Sequence, residues 1–423
     1  MRTSKSAGTL ALLVLLALFA VVAAACGGGD GAVSVDSNRA RPEILYLGSH
    51  SAITAVAPKT GRVRFQEASA VPSRDWSVLY SATIDGSETT LRTLDPATGE
   101  ELAHRTLPGA FAVRTVSEDG NLVALTAPAD GDTYHPAGKD PTRIVIARRD
   151  DPELQVLDVA GNVEPEAFSL SGDALFVIDF VPPLAPERYR VARLDLARGT
   201  VDDVRSKEQE LQEPMRGSAR AQVMAPDGRR LYTLYTRDAT ADQPAEAFVH
   251  VLDLDAETAT CVDLPADFAA NPLGALALSP SGSHLYVVAP GAGAIADLTT
   301  RDLTVARTTP FVLPAGAVGA SARATATESM LYVAVDDRLA AFALDDLQPA
   351  DWAVAPGVVT GMQPATDGSV LYVALADRVL VVDPLTLARR RELVVPTTNA
   401  APVDHLAPAL PPITPDGYAK CAC

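Results

Sequence analysis

The sequence predicts an all-β fold of short strands grouped in repeated four-stranded units, and three observations predict it. A Leu-Tyr strand or its equivalent recurs along the chain. A tight turn signal often precedes that strand. A second strand ending in Asp follows it. The marked strands begin at Leu45-Tyr46, Leu79-Tyr80, Leu122-Val123, Leu175-Phe176, Leu231-Tyr232, Leu285-Tyr286, Leu331-Tyr332 and Leu371-Tyr372. Their spacing of about 35–55 residues is that of one supersecondary unit per repeat.

Each unit reads in the same order. The turns are Asp119-Gly120, Ser171-Gly172, Asp227-Gly228, Ser281-Gly282 and Asp367-Gly368. The strands that end in Asp are "LRTLD" (91–95), "VARLD" (191–195), "VHVLD" (249–253) and "VLVVD" (379–383). A further turn such as "PATGEE" (96–101) leads to a fourth run such as "RELVVP" (391–396). Four short strands joined by tight turns form a β-meander. The best helix candidate, "RSKEQELQEPMR" (205–216), is brief.

A meander that is apolar on both faces cannot stand alone. Packing each sheet against the next around an axis buries both faces and leaves only short outer edges. The predicted fold class is therefore a β-propeller of four-stranded blades. The marked strands count eight blades, and seven if two irregular repeats merge. The first repeat, "EILYLGSH" (43–50), lacks an inner strand before it, whereas the C-terminal "PPITPDGYAKC" (411–421) carries an orphan turn, Pro415-Asp416-Gly417. The expectation is that this C-terminal strand completes blade one and closes the ring.

With these repeats the chain resembles the bacterial secreted propellers of the YVTN type, whose units read "SPDG…LYVAN…VSVID". The resemblance covers nearly all of residues 41–423. It implies a propeller working outside the cytoplasm. Propellers similar to this one include sugar-lactone hydrolases and quinone-linked dehydrogenase subunits, so it leaves an enzyme open.

The N-terminus reads as an address. Arg2 and Lys5 precede the apolar run "LALLVLLALFAVVAAA" (10–25), and Cys26 with Gly27-Gly28-Gly29 follows. That order matches a signal peptide. With Cys directly after Ala24-Ala25 it resembles a bacterial lipoprotein signal, which implies lipidation of Cys26. Cleavage after Ala25 with full secretion, or an uncleaved anchor, are the alternatives; the run is short for spanning a bilayer. The expected organisation is a signal peptide at 1–25, a lipidated Cys26 and flexible tether at 26–40, and one propeller domain at 41–423. The expected location is the outer side of the cell membrane.

The formal charge is −18, and losing Arg2 and Lys5 with the leader takes it to −20. Such an acidic surface repels phosphate backbones, so no nucleic-acid partner is expected. The hydrophobic content of 48% is ample for a core, although aromatics supply only 5% and the interior must be built from Val, Leu, Ala and Ile.

Signatures of catalysis are missing. The sequence contains no His-Glu-x-x-His, Gly-x-Ser-x-Gly, Walker loop or Cys-x-x-Cys. The histidines His50, His104, His135, His250, His284 and His405 are dispersed, and no metal site is expected. Asp195 and Asp253 recur at one position of the repeat, where a turn-capping role explains them. Cys261 falls on the outer strand of blade five, across the ring from the tail that carries Cys421 and Cys423. A disulfide between them is not expected, because it needs Cα atoms within about 7 Å.

One constellation remains. In a meander blade the first-to-second and third-to-fourth turns share one face, and the longer connections share the other. The long segments "APADGDTYHPAGKDPT" (127–142), "VPPLAPERY" (181–189), 205–220 and "RDATADQPAEA" (237–247) all fall on that second face, in consecutive blades. Long loops on a rigid scaffold carry binding residues. Asp130, Asp132, Tyr134, His135, Arg188, Tyr189 and Arg237 are the candidate ligand-binding residues, and Arg114 and Arg323 are candidates to line the pore and receive an anion. "DGDT" with Asp140 lacks the full pattern of a calcium loop, so no cofactor is expected, calcium being the weak exception. The expected function is a membrane-anchored, non-catalytic binding scaffold using the long-loop face of blades three to five. Its partner would be an envelope protein, a glycan or a small molecule. The alternative is a propeller enzyme of the lactone-hydrolase or quinone-dehydrogenase kind.

Overall fold

A computed structural model describes residues 43–408 apart from 50–51, 129–130, 133–134, 207–216, 270–272, 350 and 395–404. The leader, Cys26 and the tether lie outside the described residues. So do Cys421 and Cys423.

Eight sheets, each built on a four-stranded antiparallel meander, follow one another along the chain. Blade one holds Leu45–Ser49, Ala52–Ala57 and Arg62–Ala68, with His405–Pro408 innermost. Blade two runs Ala70–Pro72, Leu79–Asp85, Glu88–Leu94, Glu101–Pro108. Blade three runs Ala112–Val116, Leu122–Thr126, Thr142–Arg148, Asp151–Val159. Blade four runs Asn162–Phe168, Ala174–Val181, Arg188–Asp195, Thr200–Asp203. Blade five runs Ser218–Met224, Arg230–Arg237, Glu246–Asp253, Thr258–Asp263. Blade six runs Ala275–Leu278, His284–Ala289, Ala294–Thr299, Thr304–Pro310. Blade seven runs Ala322–Ala326, Met330–Val335, Arg338–Ala343, Ala353–Val354. Blade eight runs Gly361–Pro364, Leu371–Ala374, Arg378–Val382, Arg389–Val394.

The repeated phrase has a local cause. Ser73, Ser117, Ser169 and Ser279 end the first strands of their blades, and each is buried. Each hydroxyl accepts the N–H of the residue five positions on, at 3.1 Å from Val78, 2.9 Å from Leu122, 3.1 Å from Ala174 and 3.1 Å from His284. The serine thus ties both ends of the turn and satisfies a donor that would otherwise be buried without a partner. Gly120, Gly172 and Gly282 follow at φ of 69°, 71° and 70°, the left-handed region a Cβ disfavours. Blade two places Trp76 there instead, at φ 52°, and its ring stacks on Tyr46 at 4.1 Å.

The core lies between blades rather than within them. On the second strand of blade six, Leu285, Val287 and Ala289 pack with blade five, while Tyr286 and Val288 pack with blade seven. Alternate side chains of a strand point to opposite faces, so one apolar run serves two interfaces. Every interface of the ring has such a cluster, including the one that joins Leu45, Leu47 and Val56 of blade one to Tyr372, Val379 and Val381 of blade eight. At about 1.5–3 kcal/mol for each large side chain fully buried, a blade without neighbours forfeits most of its stabilisation.

Closure differs from expectation in one detail. The strand that fastens onto blade one is His405–Pro408, with Leu45 opposite Pro408 and Gly48 opposite His405. Residues 411–421, assigned this task from their turn signal, lie outside the described residues. The helix expected at 205–216 is also corrected at its start: Arg205–Ser206 form a fifth strand of blade five, parallel to Thr258–Asp263. Residues 207–216 lie outside the described residues.

Candidate functional site

The meander gives the ring two unlike faces. The short serine-glycine turns and the Asp turns share one, hereafter the turn face. The second-to-third loops and the links between blades share the other, the loop face. The chain enters blade one at Glu43, on the turn face, because Leu45 begins a strand that starts there.

Inner strands of blades three, four and five each carry a β-bulge. The bulge residues are Arg114 (between Val113 and Thr115), Glu166 (between Pro165 and Ala167) and Arg220 (between Ala219 and Ala221). A bulge turns one side chain out of the alternation and re-aims it. Arg114 Nε donates to Thr126 Oγ1 at 2.7 Å, and its Nη2 donates to the Ala127 carbonyl at 2.8 Å. It also pairs with Glu164 of blade four at 3.3 Å, with the two side chains 13% and 15% exposed. Arg220 repeats the first of these bonds, donating to Thr236 Oγ1 at 2.7 Å. Gln222 Nε2 donates to Glu166 Oε1. Thr126 ends its second strand and Thr236 stands one residue from the end of its own, so these arginines extend toward the loop face.

The loops of blades three and four are fastened together beside this cluster. Lys139 N–H donates to the Pro183 carbonyl at 3.1 Å. Asn162 Nδ2 donates to the carbonyls of Ala137 and Pro183, each at 3.1 Å, and Gly161 N–H donates to Asp140 Oδ1 at 2.9 Å. Burial pushes the Lys139 ammonium below its ordinary pKa; Glu164 opposes that shift and Arg114 adds to it. Arg114 and Glu164 therefore form an ion pair across blades three and four, and both charges act on Lys139 in the joined loop.

The residues named from sequence divide accordingly. Asp130 and Tyr134 lie outside the described residues, while Asp132 and His135 are backbone partners in a two-stranded hairpin, Gly131–Asp132 with His135–Pro136. Arg188 is exposed at the start of its strand. Tyr189 donates to the Gly217 carbonyl at 3.2 Å, and its ring lies 5.7 Å from Tyr235 and 6.4 Å from Phe180. Tyr189 thus packs between blades four and five. Arg237 pairs with Glu246 across its own blade. Arg323 Nε donates to the Thr360 carbonyl at 2.8 Å and Nη1 to the Ala322 carbonyl at 2.8 Å. Asp140, proposed for calcium, spends Oδ1 on Gly161. Among the described residues no three His, Cys, Asp or Glu side chains are grouped to hold a metal.

Sequence reasoning missed Lys139, Glu164, Glu166, Arg220 and Gln222. For all but Lys139, which lies on a loop, the signal available was charge on short inner strands, "VEPEAF" and "ARAQV", where blade six carries "ALAL".

Among the described residues, cavities open on the turn face. One, of about 530 Å³, lies at the turns of blades three and four and is lined by Glu118, Asn121, Arg149, Asp150 and Ser171, with Arg74 from blade two. Another, of about 480 Å³, lies between blades five and six. Arg74 donates from blade two to the Gly228 carbonyl of blade five, reaching past two blades. Burial pushes its guanidinium down to about 10, with Glu118 and Asp227 pulling the other way. Among the remaining groups, His284 Nδ1 lies 2.7 Å from Asp297, which also accepts from Arg307 at 3.2 Å. Cys261 sits on the outer strand of blade five as expected, opposite His250 and partly buried.

No protein-family model matches the chain, and no curated protein matches it. Solved structures resemble it at low identity. A 6-phosphogluconolactonase-like protein from Bacteroides uniformis is 16% identical, with a TM-score of 0.43 over 87% of this chain and 99% of that one. The dihydro-heme d1 dehydrogenase NirN is 14% identical, with a TM-score of 0.49 over 84% of this chain and 73% of that one. Sqt1 from Saccharomyces cerevisiae is 11% identical, with a TM-score of 0.47 over 84% of this chain and 93% of that one. At such identities and TM-scores these likenesses carry no assignment to this chain.

Proposed function

We propose that this chain is a non-catalytic binding scaffold, held outside a membrane through lipidated Cys26, which presents the loop face of blades three to five to an envelope protein, a glycan or a small molecule. The observation that carries this reading is the joining of the long loops of blades three and four through Lys139 and Asn162. Loops pinned to one another by backbone and Asn162 bonds form a pre-shaped wall, and pre-organisation removes part of the ordering cost of binding.

The test replaces residues 128–138 and 238–245 by short Gly-Ser turns. The altered protein should melt as a ring and lose the partners that the parent captures from an envelope extract. Undiminished capture would move the binding surface elsewhere. Cys26→Ala should release the protein from the membrane fraction; a variant that stays there would remove the lipid anchor from the proposal.

A further inference from the structure

Strand register places the inner-strand residues of the ring at comparable depths. Counting from the Leu of each marked strand, the fourth residue faces Glu164 in blade four (Ile178), Ala275 in blade six (Val288), Arg323 in blade seven (Ala334) and Gly361 in blade eight (Ala374). The bulges put Arg114 beside Leu125 in blade three and Arg220 beside Leu234 and Tyr235 in blade five, within one residue step, about 3.3 Å, of that level. Among the described residues this level therefore carries three arginines, on blades three, five and seven, one glutamate on blade four, and His405 on blade one, the backbone partner of Gly48. The positions on blades six and eight are an alanine and a glycine.

Within this layer Glu164 is spent on Arg114. Arg220 and Arg323 form no ion pair among the described residues; their bonds go to a threonine hydroxyl and to backbone carbonyls. Those neutral acceptors fix each guanidinium through Nε and leave its charge uncompensated. Lys139, in the loop of blade three, has its charged form disfavoured by burial, with Glu164 opposing that shift and Arg114 adding to it. In a chain of net charge −18 such a concentration of cations is specific rather than compositional. Arginine presents a planar fork of donors that matches oxygens paired on one acidic group.

We propose that this layer binds a small anion with several acidic oxygens, a phosphate or a polycarboxylate, held by Arg220 and Arg323 and admitted from the loop face past Lys139. The proposal rests on the reading of the loop face as the binding face, and it names the chemistry taken there.

The test is calorimetric titration of the purified full chain with inorganic phosphate and, separately, with citrate. At least one probe should bind saturably, and more weakly as salt is added. Arg220→Gln and Arg323→Gln should each weaken binding about tenfold or more, and the double variant should abolish it. Arg198→Gln, an exposed cation on the turn face, should change nothing. Should a glutamine variant fail to fold, Arg220→Lys with Arg323→Lys keeps the charge and should retain binding within a few-fold. Absence of binding by both probes, or unchanged affinity in a folded double glutamine variant, would overturn the proposal. The two readings separate cleanly. A loop-replaced protein that loses its partners yet binds the anion leaves the layer intact. Arginine variants that lose the anion and keep the partners leave the wall intact.

Discussion

Arg391, on the last strand of blade eight, donates a 2.7 Å hydrogen bond to the carbonyl of Pro58 in blade one, 333 residues earlier in the chain. It donates also to the carbonyl of Lys59. The same arrangement recurs along the ring. Arg105 of blade two donates to the carbonyls of Asp151 and Arg148 in blade three, and Arg307 of blade six donates to those of Asp345 and Leu344 in blade seven. In each case an outer-strand arginine reaches the third-to-fourth turn of the following blade, where carbonyls are left over. The contact that closes the ring is thus of the same kind as those inside the chain.

Because those contacts are alike, Arg391→Ala and Arg105→Ala should cost similar amounts, about 1 kcal/mol each once solvent exposure is discounted. Urea denaturation of the two variants measures this. A loss for Arg105→Ala with none for Arg391→Ala would mean that blades eight and one part in solution.

Asp336 organises the long link between blades six and seven. Its carboxylate accepts four backbone N–H bonds, from Val318 (2.9 Å), Gly319 (2.8 Å), Ala320 (2.8 Å) and Ser321 (3.0 Å). Burial by itself raises the pKa of this group, and the four donors together outweigh it and hold the carboxyl below its ordinary value. A depressed carboxylate stabilises the fold above the unfolded pKa, near 4, and that contribution is lost as pH falls through the folded value. Asp336→Asn should therefore cost roughly 2–4 kcal/mol at pH 7, and the gap from the parent should narrow below about pH 4. A gap independent of pH would show that the charge contributes nothing.

The marked Leu-Tyr strands are legible in the sequence because their residues serve two interfaces at once, so the apolar run cannot be diluted. The Asp at the end of the third strand is legible for a similar reason. Asp95, Asp195, Asp253 and Asp383 each accept the N–H groups two and three residues on, a local geometry that only a short acceptor side chain fills. The closing strand is not legible. Four residues, His405–Pro408, pair through backbone groups that every sequence possesses, whereas the Pro-Asp-Gly turn further on advertises itself. The channel layer is half legible. Arg114 and Arg323 stand on recognisable inner strands, but the bulge that brings Arg220 to their depth adds one residue without a sequence mark. The proximity of Lys139 to Glu164 crosses blades, and no spacing along the chain reports it.

His250 lies on the third strand of blade five, fully enclosed, its ring 6.1 Å from Tyr235 and edge-on to it. Desolvation pushes its pKa down to about 4 from 6.5. Between those values the unfolded chain takes up a proton and the folded chain does not, so stability falls as pH drops through that window. The full loss approaches about 3 kcal/mol. In His250→Leu this component disappears. Urea midpoints at pH 7, 6 and 5 should show the parent losing stability faster than the variant on acidification. Parallel curves would mean that the histidine is protonated in the folded ring.

Tyr80 joins blade two to blade three through its hydroxyl, which donates at 2.6 Å to the carbonyl of Gly120, inside the serine-glycine turn. Tyr46 makes the equivalent contact from blade one to blade two, with the Pro96 carbonyl, also at 2.6 Å. Removing the hydroxyl leaves a buried carbonyl without this donor, so Tyr80→Phe should cost about 1–2 kcal/mol. Burial pushes the phenol of Tyr80 up to about 12. Above pH 10 the unfolded chain releases that proton first, and stability falls as pH rises toward 12. Tyr80→Phe lacks the released proton, so its deficit should shrink between pH 8 and pH 11 in thermal or urea melts. A deficit that stays constant over that range would mean that the phenol ionises in the folded ring as it does in the open chain. The hydroxyl would then be reaching solvent rather than the next blade.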